Sequence, residues 1–299
     1  MPATEARITV EIERFVGGGF AGQVYRVQLS GIEGTIAGLE VGKHYAIKIL
    51  KPPSKLACAF RNFLYFLAYQ SHFGPQANPD AVRVGVLWQK LIRQAAAARF
   101  QDPNAVCDTF ATFYDPDGNS FGEINEWIDG RIWKFEVDDT LFQRWRHRGE
   151  PIPDDHNCPE YVSKKKFMDD LVALLHAMGA GELARQYTWW TMKSQPNALK
   201  RIATDTSPRS GVTAIDFRAG LTLLPFLPMS PADGVLVLKG LARGRWVQFD
   251  RTDPQQFNRY LETHADELQG FEPVIDELKV REAAYRRSML STVGVLDED

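Results

Sequence analysis

The order of hydrophobic and polar positions divides the chain into a strand-forming first part and a helix-forming second part. Arg7 to Val16 alternates well enough for a first strand, Gln23 to Leu29 for a second, and YAIKIL at Tyr45 to Leu50 for a third. The first two flank a run of glycines and so predict a hairpin. In the third, Tyr45, Ile47 and Ile49 point one way and Ala46, Lys48 and Leu50 the other, so a strand apolar on both faces carries one lysine. Pro52 and Pro53 end the pattern, Lys55 to Phe73 reads as an amphipathic helix stopped at Gly74, and a second helix starts at Asn78-Pro79-Asp80 and runs to about Phe100. Asp102 to Gly130 parses as strand, turn, strand and linker.

Beyond Gly130 the period is helical. Asp138 to Arg148 predicts one helix, followed by a Pro- and Asp-rich loop, Gly149 to Pro159. The helix from about Val162 to Met178 places Phe167, Leu171, Leu174, Leu175 and Met178 on one face and ends at Gly179. Later come a short apolar strand, Val212 to Ala214, the strand-like stretches GVLVLKG (Gly234 to Gly240) and RWVQFD (Arg245 to Asp250), and a cap at Thr252-Asp253-Pro254 that opens amphipathic sequence to about Met289. The expected fold class is α+β: an antiparallel-sheet half over residues 1–129 and a mainly helical half over 130–299.

With 299 residues, of which 44% are hydrophobic, the chain can bury a sizeable core. A net charge of −3 with both signs mixed gives no footprint for nucleic acid or an anionic membrane. The three cysteines, Cys58, Cys107 and Cys158, are far apart and odd in number, which argues against a disulfide framework and for a reducing, cytoplasmic setting. The N-terminus has no signal-peptide pattern. The apolar run Leu221 to Leu238 is broken by Pro225, Pro228 and Pro231 and carries Asp233, so no transmembrane segment is expected.

Gly17, Gly19 and Gly22 stand at the spacing GxGxxGxV, with Val24 in the closing position. Such a turn is either a plain hairpin tip or a clamp whose backbone N–H groups approach a polyphosphate. Lys48, in its apolar strand, needs an anion, which an ion-pair partner or a phosphate supplies. Asp216 ends a buried strand and needs a cation or donors; a Mg²⁺ ion, a helix cap and a turn all serve. The run Asp115 to Asn119 fits a hairpin turn better than a calcium loop, because its glycine falls at the fourth place.

Taken together, VGGGFAGQVY, YAIKIL, GEINEWIDG, LLHAMG, the stretch ending in Asn197, and AIDF resemble in order the motifs of the protein-kinase-like superfamily. The resemblance implies a two-lobed fold that binds ATP and Mg²⁺. Gly17, Gly18, Gly19, Phe20, Gly22, Val24, Ala46 and Lys48 are then cofactor-binding, with Lys48 gripping phosphates. Backbone groups from Glu126 to Ile128 would meet adenine, Asp129 would reach the ribose, and Asn197 and Asp216 would hold metal. Lys193 and Thr191 would line the acceptor side. AGQVYRV also resembles the UbiB-type atypical kinases, whose N-terminal KxGQ element is absent here.

Three departures qualify what the resemblance implies. The place of the catalytic-loop aspartate is taken by Met192, or by Thr191 if one inserted residue is allowed. No glutamate occurs between Lys48 and Glu123, so the usual helix-borne partner of the lysine is missing; Arg93 or Gln94 stands nearest that register. Arg218 replaces the glycine of DFG. Two readings follow: an atypical ATP-dependent phosphotransferase acting on an unknown acceptor, and a pseudokinase that binds nucleotide or a protein partner without transfer.

Overall fold

The structure is a computed structural model that describes residues 6–18, 22–51, 54–60, 63, 79–132, 159–188, 197–203, 210–217, 221–223, 231–242, 247–249 and 252–293. In chain order the elements are β1 (Arg7–Gly18), β2 (Gln23–Glu33), β3 (His44–Ile49), α1 (Pro79–Phe100), β4 (Thr109–Asp115), β5 (Ser120–Glu126) and β6 (Gly130–Ile132). There follow α2 (Pro159–Ala177), β7 (Ala198–Arg201), β8 (Val212–Ala214), β9 (Leu221–Leu223), α3 (Pro231–Ala242), β10 (Val247–Phe249), α4 (Pro254–Thr263) and α5 (Glu272–Val293). The fold is mixed α+β, with an antiparallel sheet at its N-terminal end. The chain forms two compact units: Met1–Leu91 with Cys107–Ile128 and Gln269–Asp299, and Ile92–Val106 with Asp129–Leu268.

In the first unit five strands form one antiparallel sheet in the order β1-β2-β3-β5-β4. Val27, Leu29, Tyr45, Ile47 and Ile124 make a buried cluster on one side of it, joined by Leu39 from the connection between β2 and β3. That connection folds back onto the sheet. The Tyr45 hydroxyl donates to the Gly38 carbonyl at 3.1 Å and accepts from the Glu40 N–H at 2.8 Å. Gly38 has φ +84°, and a Cβ there would stand 2.5 Å from the Phe110 ring, so only glycine fits.

The last helix, α5, belongs to this unit. The Arg83 guanidinium donates a two-pronged pair of bonds to Glu277, at 2.6 and 2.7 Å. Arg281 reaches Asp80 at 2.8 Å, and the indole of buried Trp88 donates to Glu282 at 2.8 Å. These contacts tie α5 to the first half of α1.

In the second unit α2 buries Met168, Leu171, Leu174 and Leu175, and Met178 is buried just past its end, which is the expected face with Met168 in place of the half-buried Phe167. Gly179 ends it in the left-handed region at φ +78°, where a Cβ would lie 2.4 Å from the Asp253 carbonyl oxygen. Asp253 caps α4, its carboxylate accepting from the N–H groups of Gln255 and Gln256, both at 3.0 Å. One expectation fails: GVLVLKG is helix, within α3, and not strand. Its V-L-V-L run satisfies either period, and the decisive signal is Pro231 at the start of the helix, where the missing N–H costs nothing. The helix expected at Asp138 to Arg148 lies outside the described residues.

Candidate functional site

The glycine hairpin and Lys48 lie in the first unit. Gly17 pairs with Val24 and Gly18 with Gln23 across β1 and β2, so the glycines close the hairpin as expected. Their reasons differ. A Cβ on Gly22 would stand 2.2 Å from the Ile49 carbonyl oxygen, so Gly22 is demanded by the close approach of β3. A Cβ on Gly17 would meet nothing within 4 Å, so no protein contact requires glycine there. Gly19 and Phe20 lie outside the described residues.

Lys48 sits in the middle of the sheet and is half-buried, with Val24 directly opposite on β2 and Glu123 directly opposite on β5. Glu123 is only 2% exposed. Opposed residues share a face, so Val24, Lys48, Glu123 and, on β4, Thr112 form one row across the sheet. The neighbouring row runs Arg26, Ala46, Asn125 and Thr109, and the Asn125 side-chain oxygen is buried with no hydrogen-bond partner among the described residues. No glutamate occurs between Lys48 and Glu123 in the sequence, and the sheet register sets Glu123 directly opposite Lys48.

Of the linker residues, Glu126 is already engaged: its N–H donates to the Asp108 carbonyl at 3.0 Å and its carboxylate accepts from the Asp108 N–H at 3.2 Å. Trp127 lies under two guanidinium groups, Arg26 at 4.9 Å and Arg14 at 5.3 Å from the ring centre. Glu13 in turn bonds Arg26 and His44, both at 2.7 Å. Ile128 is buried.

Asp129, Asn197 and Asp216 lie in the second unit. Asp129 is exposed, and its carbonyl accepts from the Ile202 N–H at 2.9 Å. Asn197 precedes β7 and Asp216 follows β8. These strands pair antiparallel with Ala198 opposite Ala214, and the Ile215 N–H donates to the Asn197 carbonyl at 2.8 Å. Asn197 and Asp216 are therefore brought to the same end of one strand pair. Asp216 has φ +67°, in the left-handed region that a non-glycine residue adopts only at a cost. Both its neighbours are anchored: buried Tyr187 donates its hydroxyl to the Ile215 carbonyl at 2.8 Å and stacks its ring on Phe217 at 4.7 Å. Tyr187 had no signal in the sequence, because its partners lie beyond any local pattern. Thr191 and Lys193 fall outside the described residues.

Asn197 and Asp216 together offer a carboxylate and an amide oxygen, the hard donors that Mg²⁺ takes. Among the described residues no group of three or more His, Cys, Asp or Glu could hold a metal. The pair therefore fits a Mg²⁺ ion that completes its shell with water and phosphate, the usual habit of this ion, and does not fit an all-protein cage.

No family model matches the sequence, and no curated protein does. Among solved structures the chain is similar to a rhoptry kinase from Toxoplasma gondii, with 12% identity over 95% of this chain and 86% of that one and a TM-score of 0.32. It is also similar to a protein from Ralstonia eutropha assigned as an aminoglycoside phosphotransferase, with 10% identity over 99% and 95% of the two chains and a TM-score of 0.30. Among the described residues no helix is long and apolar enough to cross a membrane.

Proposed function

We propose that the chain is a kinase-like protein that binds ATP together with Mg²⁺. The observation that supports this most is the strand pair β7–β8, which brings Asn197 and Asp216 to one end and holds Asp216 in an unfavourable backbone conformation between two anchored neighbours. Strain of that kind is kept where the surroundings fix it, and it clusters at ligand sites. In this reading Asn197 and Asp216 are the groups offered to the metal, and Lys48, Gly17 and Gly18, with Gly19 by the sequence resemblance, are those offered to phosphate. Bound Mg²⁺ would supply positive charge to the phosphates.

Binding and transfer are separate questions. Met192 and Thr191 stand where the resemblance calls for a carboxylate base. Loss of such a base typically costs about 10²–10⁴-fold in rate, so the sequence favours a binding protein or a slow transferase over a fast one. Thermal unfolding with ATP, with and without Mg²⁺, tests the binding. A ligand taken only by the native state at a hundredfold excess over its dissociation constant adds about 2.7 kcal/mol. Asp216→Ala is expected to abolish the Mg²⁺-dependent part of that gain. Absence of any stabilisation by ATP and Mg²⁺ sinks the reading; γ-phosphate turnover that vanishes in Asp216→Ala makes the protein an enzyme.

A further inference from the structure

We infer that Glu123, on strand β5, is the positioning residue for Lys48. Its functional consequence rests on the reading of Lys48 as a phosphate grip; the pairing itself does not. The two residues are directly opposed on adjacent antiparallel strands, so their side chains rise from the same face. Such neighbours have Cβ atoms about 4.5–5.5 Å apart, within reach of an ammonium and a carboxylate on flexible stems.

Within the sheet, each residue has one opposite charge beside it. On its other side Lys48 meets Val24, and along β3 its neighbours on the same face are Ala46 and Leu50. Glu123 is thus the sole carboxylate among the sheet neighbours of Lys48. Glu123 in turn is flanked on β4 by Thr112 and along β5 by Phe121 and Asn125, so Lys48 is the sole cation among its own. A carboxylate that is 2% exposed is costly to bury unless a cation or donors face it. In the middle of a sheet the carboxylate has a rigid base, which would hold the Lys48 ammonium at a fixed height above the strands. A nucleotide phosphate arriving there meets an ammonium already aimed, with little side-chain entropy left to lose.

Three measurements on the full chain decide it. The first is the rate at which an N-hydroxysuccinimide ester acylates Lys48, followed by peptide mapping. Loss of a carboxylate beside an ammonium lowers the ammonium's pKa by about one unit or more, so Glu123→Gln is expected to raise that rate about tenfold at pH 8. The second keeps the question open to an answer if Glu123→Gln folds poorly. Lys48→Met leaves a buried charge behind and Glu123→Gln a half-buried one, so each lowers the melting temperature, and the double variant is expected to recover much of the loss. The third compares ligands: Glu123→Gln is expected to weaken ATP about tenfold and adenosine not at all, with Glu123→Asp falling between. Equal acylation rates together with strictly additive stabilities overturn the inference. ATP affinity that stays unchanged in Glu123→Gln overturns its functional half. If the unaltered chain binds no ATP, the proposed function falls, while the acylation rates and the double variant still decide the pairing.

Discussion

The two faces of the first unit's sheet are made from the same strands and obey opposite rules. One presents Val27, Leu29, Tyr45, Ile47 and Ile124 and is closed by Leu39 from the folded-back connection. The other presents Lys48, Glu123, Arg26, Asn125, Thr112 and Thr109 in two adjoining rows. Alternation puts both on one ribbon: Ile47 and Lys48 are sequence neighbours, as are Glu123 and Ile124. A slip of one residue in the pairing would bury the charges in the apolar cluster, so that cluster also fixes the register that sets Lys48 opposite Glu123. The difference teaches that stability and chemistry can be separated here by substitution at adjacent positions.

The largest expected effect comes from the apolar face. Ile124→Ala removes a side chain that is 2% exposed and leaves a cavity, and is expected to cost about 2–5 kcal/mol in urea unfolding. The affinity of the folded fraction for ATP should stay within about twofold, since the side chain points away from the Lys48 row. A larger loss of affinity with unchanged stability would break the separation of the faces.

Gly22→Ala comes next. Its methyl group would be placed 2.2 Å from the Ile49 carbonyl oxygen and 3.1 Å from the Leu50 Cα, both backbone atoms that cannot turn aside. Overpacking of this kind costs about 1–3 kcal/mol, read as a lower denaturation midpoint. Near-neutral stability would mean that β2 and β3 separate easily at this end.

Strands β1 to β5, the hairpin and the ends of α2 and α4 were legible because each is written locally. Alternation marks β1 to β3, Gly179 supplies a left-handed stop, and Asp253 with Pro254 opens α4 with a cap. GVLVLKG was not, because a short apolar run satisfies both periods and the deciding proline precedes it. At the site, the residue types were legible and their partners were not. Glu123 stands opposite Lys48 through register, Tyr187 holds Asp216 through its two neighbours, and Gly22 is required by the close approach of Ile49. Each of these is a pairing between distant stretches, which no local pattern encodes.

The Arg83–Glu277 pair sharpens the comparison from outside the sheet, since it is a half-buried charge pair with a purely structural task. The hydrogen bonds from Arg83, more than its charge alone, hold the Glu277 carboxyl below its usual range, with burial acting in the opposite sense. A carboxyl whose folded-state pKa is depressed stabilises the fold above its unfolded pKa, near 4.3, and loses that contribution as pH falls through the folded value. Unfolding free energy is therefore expected to decline below about pH 4.3, and Glu277→Gln should flatten that decline. At pH 7 the same variant should cost about 1 kcal/mol, because both side chains keep some contact with water. An unchanged acid limb in Glu277→Gln would show that the tie between α1 and α5 rests on packing alone.

Gly17→Ala is expected to have the smallest effect on stability and is the most telling about the glycine hairpin. A Cβ there meets no atom within 4 Å, and Gly17 is paired with Val24 as part of β1, so the methyl group costs the fold less than about 0.5 kcal/mol. What it does alter is the smooth backbone surface that a phosphate would lie against. If the hairpin covers nucleotide, Gly17→Ala should weaken ATP severalfold with the melting temperature of the ligand-free protein unmoved, while Gly22→Ala lowers that temperature first. If Gly17→Ala leaves ATP affinity untouched, the hairpin is a turn and nothing more, and the binding of phosphate falls to Lys48 and the row it shares with Glu123.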